Sequence, residues 1–256
     1  MLRRSLFLWA VLQWTACGPG APSGGKPGPH NTGVPQGTVL QPSGSLTVEE
    51  VGAVIQDLEI DGQVTILADN VTLRRCRIRS GDYYPIRYFD NDNVGLVVED
   101  SEIIGTSESV TAGLSFGHYT VRRVNIHGGA DGLKVGDNTV VEASWIHDLG
   151  NYPDQHNDSL QSTGGRGIII RGNFLDAEGS STAFQMGGEP SHDTLIEGNW
   201  LAGGGWTLNL SGPIGENLRI NNNRFARNAG YGPASVEGPF IQSGNVWDDT
   251  DEPLEL

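Results

Sequence analysis

The chain has 256 residues, 37 of them glycine, and a formal net charge of -15 from 16 basic against 31 acidic side chains. Nucleic-acid binding draws on clustered Lys and Arg that displace counterions, so this balance excludes it, and the same sign disfavours broad adhesion to an anionic bilayer. With only two cysteines, no disulfide framework supports the fold.

Residues 1–16 (MLRRSLFLWAVLQWTA) set Arg3 and Arg4 ahead of an apolar run of about ten residues, too short to span a bilayer, and are predicted to be an export signal. Cys17, after Thr15 and Ala16, resembles the acylated lipobox cysteine of bacterial lipoproteins, although Trp14 stands where Leu is usual. The resemblance implies a lipid anchor at Cys17 and, with Gly18 next, an outer-membrane address in the cell envelope. Residues 17–45 are rich in Gly, Pro and Ser and read as a disordered, lipid-anchored linker. Residues 46–256 are ample for one core and small for two.

From Val54 onward one unit recurs: IQDLEI, LRRCRI, VEDSEI, VRRVNI, VEASWI, IRGNFL, IEGNWL and INNNRF, then a weaker IQSGNVW. Taking its fourth residue as a marker gives Leu58, Cys76, Ser101, Val124, Ser144, Asn173, Asn199, Asn223 and, shifted by one, Asn245, at intervals of 18 to 29 residues. Such a period means a solenoid. Apolar residues fall two apart around a break rather than at helical spacing, so the units are strands. Three before the marker (Ile55 to Ile220) and two after it (Ile60 to Phe225) every unit is apolar, as inward columns must be. Two before it, Gln56, Arg74, Glu99, Arg122, Glu142, Arg171, Glu197 and Asn221 alternate in sign, which predicts an exterior salt ladder that also fixes register. Asn173, Asn199, Asn223 and Asn245 are expected to stack as an inner amide ladder.

These V-x-I-x-x-N-x-I units, with their Asn ladder, resemble the pectate-lyase-like superfamily from about Val51 to Trp247. The resemblance implies an all-β fold, a single right-handed parallel β-helix of about nine coils. A second strand aligns as GLSF, GLKV, SLQS, AFQM and TLNL, with Leu114, Leu133, Leu160, Phe184 and Leu208 inward and Ser115, Lys134, Gln161, Gln185 and Asn209 outward. IRYF adds Arg87 below them. This amide-rich stripe, beside Trp206, Trp200 and Trp145, offers hydrogen bonds for hydroxyls and rings for pyranose faces, so the expected partner is a polysaccharide, bound by a monomer.

Asp131 aligns with Asp158 and Lys134 with Gln161, while the loop between them carries His147, Asp148, Asp154 and His156. Lyases and uronan epimerases of the resembled superfamily neutralise a uronate carboxylate and remove the C5 proton with a basic side chain. By that analogy Lys134 or Arg87 neutralises and His156 abstracts, with Asp131 and Asp158 beside them; an imidazole suits proton transfer near neutrality. A plainer reading has Lys134 simply paired with Asp131 or Asp158. DGLK, IHD and HNDSLQSTGG also resemble a group of exported β-helix proteins, which supports a shared site and names no reaction. Hydrolysis through paired carboxylates is open only to Asp131 with Asp158. The residue spacing matches no zinc signature, so no metal cofactor is expected, with a loop calcium as the alternative. His127 and His147 fall in equivalent places, as turn residues or as a rim of the cleft. A lyase or C5-epimerase on a uronic-acid glycan is the leading expectation, ahead of a non-catalytic glycan-binding or envelope protein and of a glycoside hydrolase.

Overall fold

In a computed structural model, which describes residues 25–88, 93–152 and 155–256, the chain is a parallel β-solenoid. Three walls follow one another around each coil. Wall A has ten strands, from Gln41–Ser43 to Val246–Trp247. Walls B and C have nine each, from Leu46–Val48 to Gly232–Val236 and from Val54–Gln56 to Phe240–Ser243. No α-helix occurs among the described residues.

The repeat unit is the corner from wall C to wall A. The residue just before the marker holds the left-handed conformation in every coil, with φ between 49° and 65° at Asp57, Arg75, Asp100, Arg123, Ala143, Gly172, Gly198, Asn222 and Gly244. Only three of these are glycine, so the others bear a steric cost that stacking offsets. Bidentate pairs within the column contribute to that offset: Arg75 donates to Asp57 and Arg123 to Asp100, each at 2.6 and 2.8 Å.

The marker turns inward and is buried in every coil from Cys76 to Asn245. Asn173 Nδ2 donates to Asn199 Oδ1, Asn199 to Asn223, and Asn223 to Asn245, at 3.0, 2.9 and 3.1 Å. Each of these Oδ1 atoms also accepts the amide of the residue below, so an otherwise costly buried polar column is satisfied along its length. Both apolar columns are buried except at Ile55 in the first coil. The sign alternation on wall C is realised as Arg74 to Gln56, Arg122 to Glu99 and Arg171 to Glu142, at 2.6–2.8 Å.

The two ends differ. Residues 252–256 fold back over the last coil, where Leu254 is buried and its amide donates to Asn245 O. The linker expectation is corrected at its C-terminal end. Gln41–Ser43 is already the first strand of wall A, and residues 26–33 lie against that wall, with Lys26 over the Phe174 ring and the Gly33 amide donating to Arg123 O. A Gly- and Pro-rich segment needs no apolar periodicity to pack when its turn is closed internally, as Thr32 and Asn31 do onto Gly28. The signal and Cys17 lie outside the described residues.

Candidate functional site

Wall B carries the site. Strands Asp131–Val135, Asp158–Ser162, Thr182–Met186 and Trp206–Leu210 are in register, so Lys134, Gln161, Gln185 and Asn209 form one outward row. Arg87 stands on the same wall, exposed, level with Thr65. Strict alternation would turn Asp131 inward, three residues from Lys134. Instead the chain bends so that Gly132 and Leu133 both face the core, a Cβ on Gly132 falling 2.5 Å from the Ile146 side chain. The bend swings Asp131, Asp158 and Trp206, which stand at one level, to the side of the outward row.

Lys134 is held between coils. Its Nζ donates to Asp131 Oδ2 at 2.7 Å and to Gln161 Oε1 at 2.5 Å. Asp131 Oδ1 accepts the Asp158 amide at 2.9 Å, and Gln161 Nε2 donates to Asp158 Oδ2 at 3.2 Å. Asp158 is 1% exposed and its Oδ1 has no hydrogen-bond partner. Burial, reinforced by the negative charge of Asp131, pushes the Asp158 carboxyl up to about 7. Burial also raises Asp131, against the pull of Lys134. Two carboxyls therefore share one ammonium, and Asp158 keeps its proton to near neutrality.

Beside them a trough of about 410 Å³ is lined by His156, Asp158, Gln161, Gln185 and Asn209, with Gly187 and Gly188 along one edge. His156, exposed on the loop before Asp158, lies close enough to contribute to the field at Asp131. The sequence-derived set thus meets on one wall: Lys134, Asp131, Asp158, Gln161, Gln185, Asn209, His156 and, one level aside, Trp206.

Four expectations change. Ser115 is fully buried, facing Tyr84, so it offers nothing to a ligand in the trough. His147 belongs to wall A rather than to the trough's rim, where it stacks on Trp145 at 3.5 Å and its ring nitrogens contact Asp148 Oδ2 and Asn125 Oδ1, both at 2.7 Å. Burial pushes its pKa down. Trp145 and Trp200 are likewise on wall A, away from the amide row, because the chain turns a corner between them and wall B. Asp154 lies outside the described residues, and among those no group of three or more His, Cys, Asp or Glu is placed to hold a metal.

Sequence reasoning missed the exposed aromatic residues that flank wall B. Tyr83 and Tyr231 stand three before the inward residues Ile86 and Ala234, as Ala130 stands before Leu133, so the column alignment contained them. Comparison with protein-family models, with curated proteins and with solved structures returned no match for this chain.

Proposed function

We propose that the protein acts on a uronic-acid-containing glycan as a polysaccharide lyase or C5-epimerase, on the right-handed form of the coil. One observation carries this reading: a buried carboxyl that stays protonated to about 7, next to an ammonium and an exposed imidazole, in an amide-lined trough. Asp158 in its acid form lines the trough without a negative charge to repel the substrate carboxylate, and Lys134, one coil below, adds positive charge. Neutralising that carboxylate acidifies the C5 proton, which His156 removes. In a lyase the C5 electron pair forms the C4=C5 double bond as the C4–O bond breaks, the leaving oxygen taking a proton from the imidazolium or from water; in an epimerase water returns a proton to C5 on the opposite face. Gln161, Gln185 and Asn209 orient sugar hydroxyls, while Arg87 and Trp206 extend the contact.

Incubation with alginate, pectate and glycosaminoglycans, followed by absorbance of unsaturated uronates, tests the lyase; solvent deuterium incorporated at C5 tests the epimerase. His156→Ala is expected to lower either rate at least about a hundredfold. Absence of both signals for the wild type, on all three glycans, overturns the catalytic reading.

A second reading, a non-catalytic glycan-binding protein, is favoured by the engagement of Lys134, two of whose three Nζ donors go to Asp131 and Gln161. Glycan binding undiminished in Lys134→Ala and His156→Ala, without turnover, distinguishes it. Hydrolysis ranks behind both, since Asp131 is committed to the Asp158 amide and to Lys134. Export through residues 1–16 and anchoring through an acylated Cys17 belong to the same proposal. Wild type in the membrane fraction with Cys17→Ser released is the expected outcome.

A further inference from the structure

The corner from wall A to wall B is a column in which Tyr83, Thr111, Ala130, Asn157, Ser181, Gly205 and Tyr231 each stand three residues before the inward residue of their coil. Main-chain bonds link neighbours in it: the Thr111 amide to Tyr83 O, Ser181 to Asn157 O, Gly205 to Ser181 O and Tyr231 to Gly205 O. Of these seven positions only the first and the last carry large rings, and both are exposed, Tyr83 by 60% and Tyr231 by 77%.

Each end is reinforced. Tyr83 meets Tyr84 edge-on at 4.8 Å, and Tyr84 meets Phe116, itself 41% exposed, at 6.0 Å. Tyr231 lies over Gly205 and beside Trp206, with ring centroids 6.0 Å apart. Among the described residues Tyr83, Phe116 and Tyr231 are the three aromatic ones with exposed large hydrophobic side chains, and all of them flank wall B. Between the ends the rim is low, and there Lys134, Asp158 and the trough lie.

We infer that Tyr83 and Tyr231 are sugar-stacking platforms at the two ends of one binding path, so that the ligand is an oligosaccharide lying along the solenoid axis across the Lys134 coil. Six strand spacings separate the platforms on wall B, about 29 Å at about 4.8 Å each, a span that only an oligomer of several rings bridges. An apolar pyranose face on an aromatic ring matches the exposed rings at the ends, and the amide row matches hydroxyls in between. The inference rests on the glycan reading proposed above, and not on catalysis.

Titration calorimetry of the full chain with oligouronates from disaccharide to decasaccharide, and with a neutral cello-oligosaccharide series, tests it. Wild-type affinity is expected to rise with chain length. Tyr83→Ala and Tyr231→Ala should each weaken the longest oligomer about tenfold and leave the disaccharide unchanged, while Tyr83→Phe and Tyr231→Phe restore binding because the ring suffices. Length dependence with the neutral series alone would keep the platforms and remove the uronate. Affinity independent of length, equal losses for short and long ligands, or no binding in either series would overturn the inference.

Discussion

Walls B and C are built on the same coil, yet their outward rows treat charge differently. On wall C each cation of the ladder meets an anion or amide in a neighbouring coil, in pairs that water reaches. On wall B Lys134 faces two carboxyls, both buried, and Asp158 Oδ1 has no partner. A row that serves only stability balances its charges where water screens the remainder. A row that keeps a buried excess of acid stores unfavourable electrostatics, which is what a site needs in order to hold a proton near neutral pH.

The contrast is broken most severely by removing the cation between the two carboxyls. Lys134→Met is expected to lower stability by about 3–5 kcal/mol at pH 8, since it leaves two buried carboxyls uncompensated. The loss should shrink at pH 5, where Asp158 is protonated, and denaturant titrations at the two pH values check this.

Asp158→Asn should act in the opposite sense. The native carboxyl titrates near 7 against an ordinary 3.8, so between those values the unfolded chain ionises while the native state retains the proton. Wild-type stability therefore falls as pH rises from about 4 to about 7, by an amount on the order of a few kcal/mol. The Asn variant should flatten that slope and be the more stable protein at pH 8. An unchanged slope would place the titrating group elsewhere.

Asn199→Ala interrupts the inner ladder at its centre, orphans the Asn173 amide and removes the side-chain bond to the Ile170 carbonyl, for an expected loss of about 1–3 kcal/mol. Glu102 shows the reverse pH behaviour. The His127 hydrogen bond, with Arg77 adding to it against burial, holds its carboxyl at about 2. Its contribution is present above about 4.5 and is lost as pH falls toward 2, so Glu102→Gln should reduce acid-range dependence of the melting temperature. The smallest effect belongs to wall C: Arg171→Ala should cost about 0.2–1 kcal/mol and fade in high salt, because its pair with Glu142 is exposed.

Repetition made most of the fold legible. The period, both apolar columns, the alternating signs and the Asn markers each repeat at a fixed offset, and stacking forces residues at equal offsets into contact, so the solenoid, its register and the Lys134–Gln161 adjacency follow from the sequence. The left-handed corner was legible only at its glycines, because Asp57, Arg75, Asp100 and Arg123 owe that conformation to pairing across coils rather than to their own preference.

What breaks the repeat was decided by the tertiary structure alone. The bend at Gly132–Leu133 sets Asp131 and Asp158 beside Lys134 against strict alternation, burial rather than residue type raises the Asp158 carboxyl, and a corner sends His147 and Trp145 to another wall. The packing of residues 26–33 on wall A belongs to the same class, since it depends on a surface that exists only once the coils have stacked. Periodicity fixes which residues are neighbours along the axis. Desolvation and direction around the coil depend on the whole cross-section, which no single repeat encodes.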